Sequence, residues 1–477
     1  MRICTAASAF HYKGLVPFFS KRKNRTKNYT GVVMTTCAGS AFEKGSLGPL
    51  HYAGLQMRGL RLFLGYNSIM PNVGKFSALS YRDFRLFWFG QVISLSGTWM
   101  QSVAQGWLVY SLTKSPLYLG IVAAAAALPI LFFTLIGGMI ADRFPKRNIL
   151  LATQALSMVP ALVLGILTSM GVIKVWEVAV LAAFLGTINA VDVPTRQSFL
   201  IEMVGRGHVV NAIGLNSAAF NGARIIGPMI AGLSIEYLGL PACFFINAAS
   251  FLAVIFALSK MDARGEILAK SEGVISDFMK GIRFIRGKSE IRRAMVLIAI
   301  FSIVGLPYIN LLPVFAAEVF HQGAKGLGFL VGASGIGALI AALGIAVMGN
   351  IENKSRFMSI AALSFSAALF VFSLSRTFWI SIVVIMVGGW GMVSYLAAAN
   401  SFIQVSVPDE LRGRVMSVYS FVFLGFVPVG NSIMGVAADM FGTADAVTAG
   451  GLICILASAV FAIGHMGTGN PQGGKGA

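Results

Sequence analysis

From Ile121 to Gly137 the chain is continuously apolar apart from Thr134. A helical bilayer crossing needs about 20 predominantly apolar residues, because hydrocarbon offers no partner for backbone N–H and C=O groups and the segment has to satisfy its own. Twelve runs of this kind follow one another, the first near Leu86 to Ser111 and the last near Asp445 to Gly464, with short polar turns between them. A β-barrel would instead show short segments of alternating apolar and polar residues, which the run at Ile121 excludes. With 56% hydrophobic and only 12% charged residues and a mean hydropathy of +0.78, a water-soluble fold of 477 residues could not cover its surface. The fold class is an all-α membrane protein of twelve transmembrane helices.

The net charge of +19 suggests nucleic acid until it is located. Residues 1–77 hold eleven Lys or Arg against one acid, Glu43. In the body, alternate loops sort by charge. One side, which includes Arg82, Arg85, the 142–147 turn and the 259–293 segment, carries twenty Lys or Arg. The other carries four: Lys114, Lys174, Lys325 and Arg376. The positive-inside rule puts the rich side, and both ends of the body, in the cytoplasm. The basic excess thus reports topology, with no nucleic-acid partner.

Cys4, Cys37, Cys243 and Cys454 have no metal or redox spacing, and the five histidines are scattered without a second ligand at helical spacing. No GxSxG, P-loop or paired-carboxylate arrangement is present. The sequence therefore predicts neither an enzyme nor a cofactor. Residues 1–77 lack a signal-peptide run, and Met34, Met57 and Met70 each precede an intact first span. This region reads as a disordered basic extension or an over-extended start.

The longest interruption among the spans is 259–293. It separates a six-helix bundle at 78–258 from a second at 294–464, and residues 465–477 form a disordered tail. Within the linker, Ile275, Phe278, Met279, Ile282 and Ile285 recur at three- and four-residue steps, predicting an amphipathic helix on the cytoplasmic surface. Three span ends share glycine followed by an acid four residues on: GMIADRFP from Gly138, GLSIEYLG from Gly232 and GVAADMFG from Gly435. The first faces the cytoplasm and the other two face outward. Two six-helix bundles, related by a pseudo-two-fold and each holding inverted three-helix repeats, are the construction of alternating-access transporters.

The turn GGMIADRFPKR is similar to the signature that the major facilitator superfamily carries between its second and third helices. Gly138, Asp142, Arg143, Lys146 and Arg147 match it, and Pro145 departs from it by replacing a usual glycine. GNIENKSR from Gly349 to Arg356 looks like its degenerate second copy. In the fifth span GARIIGPMIAG resembles the glycine-proline signature of the exporter branches through Gly227, Pro228 and Gly232, with Ala231 at one usual glycine. DVPTRQSF from Asp192 and VPDELRGRVMS from Val407 resemble the third group of drug:proton antiporter-like exporters, which includes macrolide-efflux and enterobactin-exporter types. The resemblance runs from about Tyr81 to Gly464 and implies efflux through an inner or plasma membrane. Asp142, among three cations, can then act as a latch that pairs in only one of two conformations. Asp192 and Arg196, four apart on one helical face, are a second candidate gate pair.

Polar residues inside the spans point to a path. At about 100° per residue, Gln91, Ser94, Thr98, Gln101 and Gln105 share an arc of about 80° on the first span. Buried amides need partners, so this face meets either a central cavity or polar groups of neighbouring helices. Asn189, Tyr308, Asn310, Trp390, Tyr395 and Asn400 lie near mid-span and suit a bulky, partly apolar substrate. Arg224 is the only ionisable residue deep in a span, where insertion costs about 2.5 to 3.5 kcal/mol; it either contacts an anionic substrate or pairs with Asp192. No Asp or Glu occupies a span centre, so the candidates for proton coupling are Asp142 and Asp192, with the substrate's own charge as the alternative. The expectation is a monomeric transporter of a small amphipathic molecule, with membrane lipid as its solvent. A lipid or lysophospholipid flippase and a transport-inactive scaffold or sensor stand as alternatives.

Overall fold

The computed structural model describes residues 77–205, 207–262, 274–349 and 353–466. The basic extension up to residue 76, part of the linker, the middle of the turn from Gly349 to Arg356 and the tail beyond 466 lie outside the described residues.

Twelve helical spans follow in order: α1 (Arg82–Thr113), α2 (Pro116–Arg143), α3 (Lys146–Ser169), α4 (Val175–Val204), α5 (Val209–Leu238), α6 (Leu240–Ser259), α7 (Ser289–Val319), α8 (Gly323–Met348), α9 (Lys354–Leu374), α10 (Phe378–Ser406), α11 (Asp409–Phe441) and α12 (Thr443–Met466). Eleven are long and apolar enough to cross a membrane. The one below that measure is α1, whose length of 32 residues is ample but whose polar face lowers its hydropathy. Large apolar side chains such as Phe132, Leu343 and Val460 are more than half exposed, at 64, 58 and 69%. Such an outer surface is compatible with lipid and not with water.

The span ends follow from local chemistry. In GMIADRFP, Pro145 forbids helical geometry to the residue before it, and Phe144 is extended at φ −123°, ψ 156°, which stops α2. In GLSIEYLG and GVAADMFG the equivalent position is glycine, and Gly239 and Gly442 adopt φ +84° and +93°, which a side chain would resist. Two spans are broken. Pro307 and Pro313 cannot donate backbone hydrogen bonds, and α7 carries π-helical turns on both flanks of Tyr308–Val314, at Phe301–Gly305 and Phe315–Val319. π-Turns of this kind concentrate at functional sites. In α11 the helix is interrupted at Phe426, between Gly425 and Pro428.

The helices pack in two groups, α1–α6 and α7–α12. Within the first, α2 runs against α4 and α1 against α5 and α6; within the second, α8 packs on α10 and α9 on α10 and α12. The groups meet where α2 crosses α11 and where α5 crosses α8. Glycines set both crossings, since small residues let backbones approach closely in lipid. A methyl on Gly435 would lie 3.0 Å from Cα of Gly120, and one on Gly328 would lie 2.5 Å from the carbonyl oxygen of Pro228. The linker helix, Val274–Gly287, is not simply laid on a surface: Phe278 meets Phe421 of α11 edge-on at 5.5 Å, and a methyl on Gly281 would touch the Arg414 carbonyl.

Candidate functional site

The end of the bundle that carries the 142–147 turn and the linker is called the basic end here, and the opposite one the far end. The polar face of α1 looks into its own bundle. Gln101, buried at 3%, accepts a 2.6 Å hydrogen bond from Nδ2 of Asn247 on α6, and Ser250 Oγ donates to Asn247 Oδ1 at 3.1 Å. Gly97 faces the same two α6 residues, so α1 and α6 interlock through a small polar cluster. Gln91, also buried, accepts from Arg196 of α4. Ser94 is buried, and Thr98 donates to the Ser94 carbonyl within the helix at 2.9 Å. Gln91 and Gln101, two candidates for a cavity wall, are thus not on an open surface in this conformation. The reason is physical: α4 offers Gln91 a guanidinium and α6 offers Gln101 an amide. Gln105 is half-buried where α1 nears Pro313 of α7, and Asn189 is half-buried on α4.

At the basic end, Asp192 and Arg196 form an ion pair. Asp192 is 1% exposed and also accepts from Thr153 Oγ1 at 2.7 Å and Gln154 Nε2 at 2.9 Å, both on α3. The α4 carboxylate is therefore committed inside its half and does not reach Arg224, which removes that pairing from the two that the sequence allows. The cations after Asp142 are engaged as well: Lys146 lies 2.6 Å from Glu202, and Arg147 donates to the carbonyls of Leu258 and Ser259 at 2.7 and 2.8 Å. Arg143 is exposed and Asp142 half-buried; among the described residues Asp142 makes no ion pair. Gly138 has no atom within 4 Å of the place a methyl would take.

Arg224 sits where α1, α5 and α8 meet. Its guanidinium lies 5.6 Å from the Trp99 ring centroid, and Nη2 lies 3.4 Å from Ser334 Oγ on α8. Tyr308 of α7 is buried near the same Ser334. Nε of Arg224 is buried and has no hydrogen-bond partner. The remaining candidates of the second half divide. Asn310 donates to Asn431 of α11 at 2.9 Å, beside the point where α2 crosses. Trp390 is half-buried and meets Phe357 edge-on at 6.5 Å. Tyr395 is buried, donates to the Ala294 carbonyl at 3.1 Å and stacks among Phe301 and Phe461, a core position. Asn400 accepts from Gln404 at 2.5 Å.

Four polar links join the halves among the described residues. Besides Arg224 to Ser334, they are Tyr110 to Glu318 at 2.7 Å, Ser115 to Asp439 at 2.5 Å and Lys325 to Glu236 at 3.4 Å, all at the far end. Glu236 and Asp439 are the acids of the two far-end G-x-x-x-acid tails. Periodicity within single spans did not reveal them as bridges, although the repeat itself marked their positions. At the basic end the crossing helices carry glycines that face open space: Gly138 on α2, Gly214 on α5 and Gly413 on α11. Among the described residues the polar links between the halves lie at the centre and the far end, and none lies at the basic end.

The family model described as "transmembrane secretion effector" matches residues 73–470. The staphyloferrin A transporter of Staphylococcus aureus is 27% identical over 391 residues, which cover 79% of this chain and 95% of that protein. The multidrug efflux pump Tap of Mycolicibacterium fortuitum is 27% identical over 367 residues, 75% of this chain and 89% of that one. Among solved structures, a bacterial homologue of the iron transporter ferroportin in an inward-facing state superposes with a TM-score of 0.62 at 14% identity, covering 80% of this chain and 98% of that one. A bacterial homologue of the lysosomal transporter Spinster, inward-facing and unoccupied, gives a TM-score of 0.64 at 12% identity over 80% of this chain and 96% of that one.

Proposed function

Because the chain belongs to the transmembrane secretion effector family of the major facilitator superfamily, we propose that it is an alternating-access secondary transporter exporting a small amphipathic compound, held here in the state open to the cytoplasm. The observation that carries this reading is the contrast among the three G-x-x-x-acid tails: Glu236 and Asp439 bridge the halves at the far end, whereas Asp142, their counterpart at the basic end, bridges nothing among the described residues. Twenty basic residues mark the open end as cytoplasmic by the positive-inside rule, so substrate enters from the cytoplasm or the inner leaflet of a bacterial inner membrane.

Export requires the exchange of one closed end for the other. The far-end links at Tyr110, Ser115 and Lys325 break, and the open glycines at Gly138, Gly214 and Gly413 become packing contacts. Asp142 then approaches the start of α11, whose first backbone N–H groups have no side-chain cap. A carboxylate there is favoured by the orphan donors and the helix dipole. The latch is thus paired in the closed-inside state and unpaired in this one, which is what biases the two states.

The relatives' names, a siderophore transporter and a multidrug pump, support a drug- or siderophore-sized cargo over the flippase and scaffold alternatives. We read the chain as working as a monomer, since both gates are built from its own two halves. Protons are the coupling ion through Asp142, because Asp192 is committed to Arg196, Thr153 and Gln154.

The test is accumulation in inside-out vesicles with and without a proton gradient, for a panel of amphipathic drugs and siderophores. At least one compound accumulates in a gradient-dependent way, and Asp142→Asn abolishes this while leaving folded yield unchanged. If no compound in the panel moves faster than in the Asp142→Asn vesicles, the exporter reading fails.

A further inference from the structure

Among the described residues, the cation at the centre of the molecule has no counter-ion. Arg224 makes one long hydrogen bond, to Ser334, and rests over Trp99; its Nε is buried and unpartnered, and no carboxylate among the described residues pairs with it. Asp192, the partner that the sequence offered for it, is held by Arg196 and two α3 side chains. Arg224 does not discharge into lipid either. Ile226 and Ile230, exposed at 49 and 43%, define the outer face of α5, and at about 100° per residue Arg224 lies roughly opposite Ile226. Its neighbours Gly227 and Ile225 contact α1 and α8, so the guanidinium is directed between those helices toward Tyr308.

This arrangement has the chemistry of an oxyanion site. The guanidinium fork leaves most of its five donors free, and a planar carboxylate accepts two of them in parallel, the strong charge-assisted geometry. The hydroxyls of Ser334 and Tyr308 stand beside it as further donors. The Trp99 ring, attracted to the cation, forms an apolar wall against which a hydrophobic body can rest. Arg224 belongs to one half, whereas Ser334 and Tyr308 belong to the other, so a bound anion contacts both.

Resting on the exporter reading, we propose that the cargo carries a carboxylate, which docks on Arg224 between Trp99 and the Ser334–Tyr308 pair. The site selects acidic amphiphiles over their neutral counterparts, and the charge of the cargo, shared by both halves, takes the place that a span-centre acid would hold in a carrier of cations.

The experiment uses the full chain purified in a neutral maltoside detergent without anionic lipid. Thermal unfolding and intrinsic tryptophan fluorescence are followed against 2-naphthoate, citrate, and the neutral isostere 2-naphthamide. Naphthoate is expected to raise Tm and change the fluorescence at concentrations at least tenfold below those the amide needs. Arg224→Gln removes that preference, Arg224→Lys keeps part of it, and Trp99→Phe keeps the Tm shift while losing the fluorescence change. Equal binding of acid and amide, or an unaltered preference in Arg224→Gln, overturns the proposal, as does protection of wild type by phosphatidylglycerol alone, which would assign the site to lipid. The exporter reading stands separately. If wild-type vesicles accumulate cargo and Arg224→Gln vesicles accumulate acidic cargo equally well, only the anion site is lost; if wild-type vesicles accumulate nothing, the exporter reading goes first.

Discussion

Ser115 Oγ donates a 2.5 Å hydrogen bond to Oδ1 of Asp439, tying the turn after α1 to the last turn of α11 across the two halves. Lys325 and Glu236 do the same between α8 and α5 at 3.4 Å. Both links are solvent-exposed, where a single ion pair contributes about 0 to 1 kcal/mol. They therefore act as biases on a two-state equilibrium and not as locks. Far-end closure rests mainly on the glycine crossings, and the polar pairs trim its population.

That magnitude sets the first prediction. Glu236→Gln and Asp439→Asn each shift the population away from the basic-open state by up to about fivefold, the Boltzmann equivalent of about 1 kcal/mol, and high salt mimics Glu236→Gln. The check is the labelling rate of a cysteine at Gly138 by a membrane-impermeant maleimide, in a background without the native cysteines. The rate falls in each variant and falls further in the double variant; a rate unchanged by both together would remove these residues from the gate.

The glycines give an asymmetric prediction. Gly138 faces open space in this conformation, so Gly138→Leu leaves fold and yield intact here, and the exchange of glycine for a better helix former favours folding by roughly 0.5 to 1 kcal/mol. The same side chain blocks closure at the basic end, so transport drops at least tenfold with the protein trapped as it stands. Gly328→Leu behaves the other way. Its side chain collides with the Pro228 carbonyl and Gly232, overpacking that costs about 1 to 3 kcal/mol and opens the far end. Cysteine accessibility at the two ends of each variant, measured beside vesicle transport, distinguishes the cases; equal accessibility patterns in the two variants would refute the crossing model.

The Asp192 cluster predicts a stability effect. Asp192→Asn leaves the Arg196 guanidinium without its carboxylate in a buried site, where breaking such a pair costs about 3 to 5 kcal/mol. Folded yield and Tm fall, and the double change Asp192→Leu with Arg196→Met recovers most of the loss. If Asp192→Asn is as stable as wild type but does not transport, the pair is part of the coupling machinery instead.

Spans, their ends and the two-bundle arrangement were legible because the bilayer imposes length and apolarity on every segment, and because Pro145, Gly239 and Gly442 stop helices by their own backbone limits. The Asp192–Arg196 pair was legible for the same local reason: residues four apart share a helical face. Partners across helices were not. Nothing in the order of the chain places Asn247 beside Gln101, Asn431 beside Asn310 or Ser334 between Arg224 and Tyr308, since these contacts depend on which face of one helix meets which face of another. Helical periodicity correctly gathers polar residues onto one side of α1. It does not say what that side faces.

For that face the decisive pair is Gln101 and Asn247. Replacing Gln101 by Leu removes the acceptor of a buried amide, and leaving such a group unsatisfied costs about 1 to 3 kcal/mol. Gln101→Leu therefore lowers Tm and folded yield while the order of preference among transported compounds stays the same. Exchanging both partners, Gln101→Leu with Asn247→Leu, removes donor and acceptor together and restores much of the stability, because no polar atom is then stranded. Thermal unfolding of the two single variants and the double variant, followed by a transport panel on each folded protein, gives a coupling energy and a preference profile. A positive coupling with an unchanged profile identifies Gln101 as the tie between α1 and α6. A changed profile with no loss of stability would instead put it on the substrate's path, and would mean that α1 rotates away from α6 when the transporter turns over.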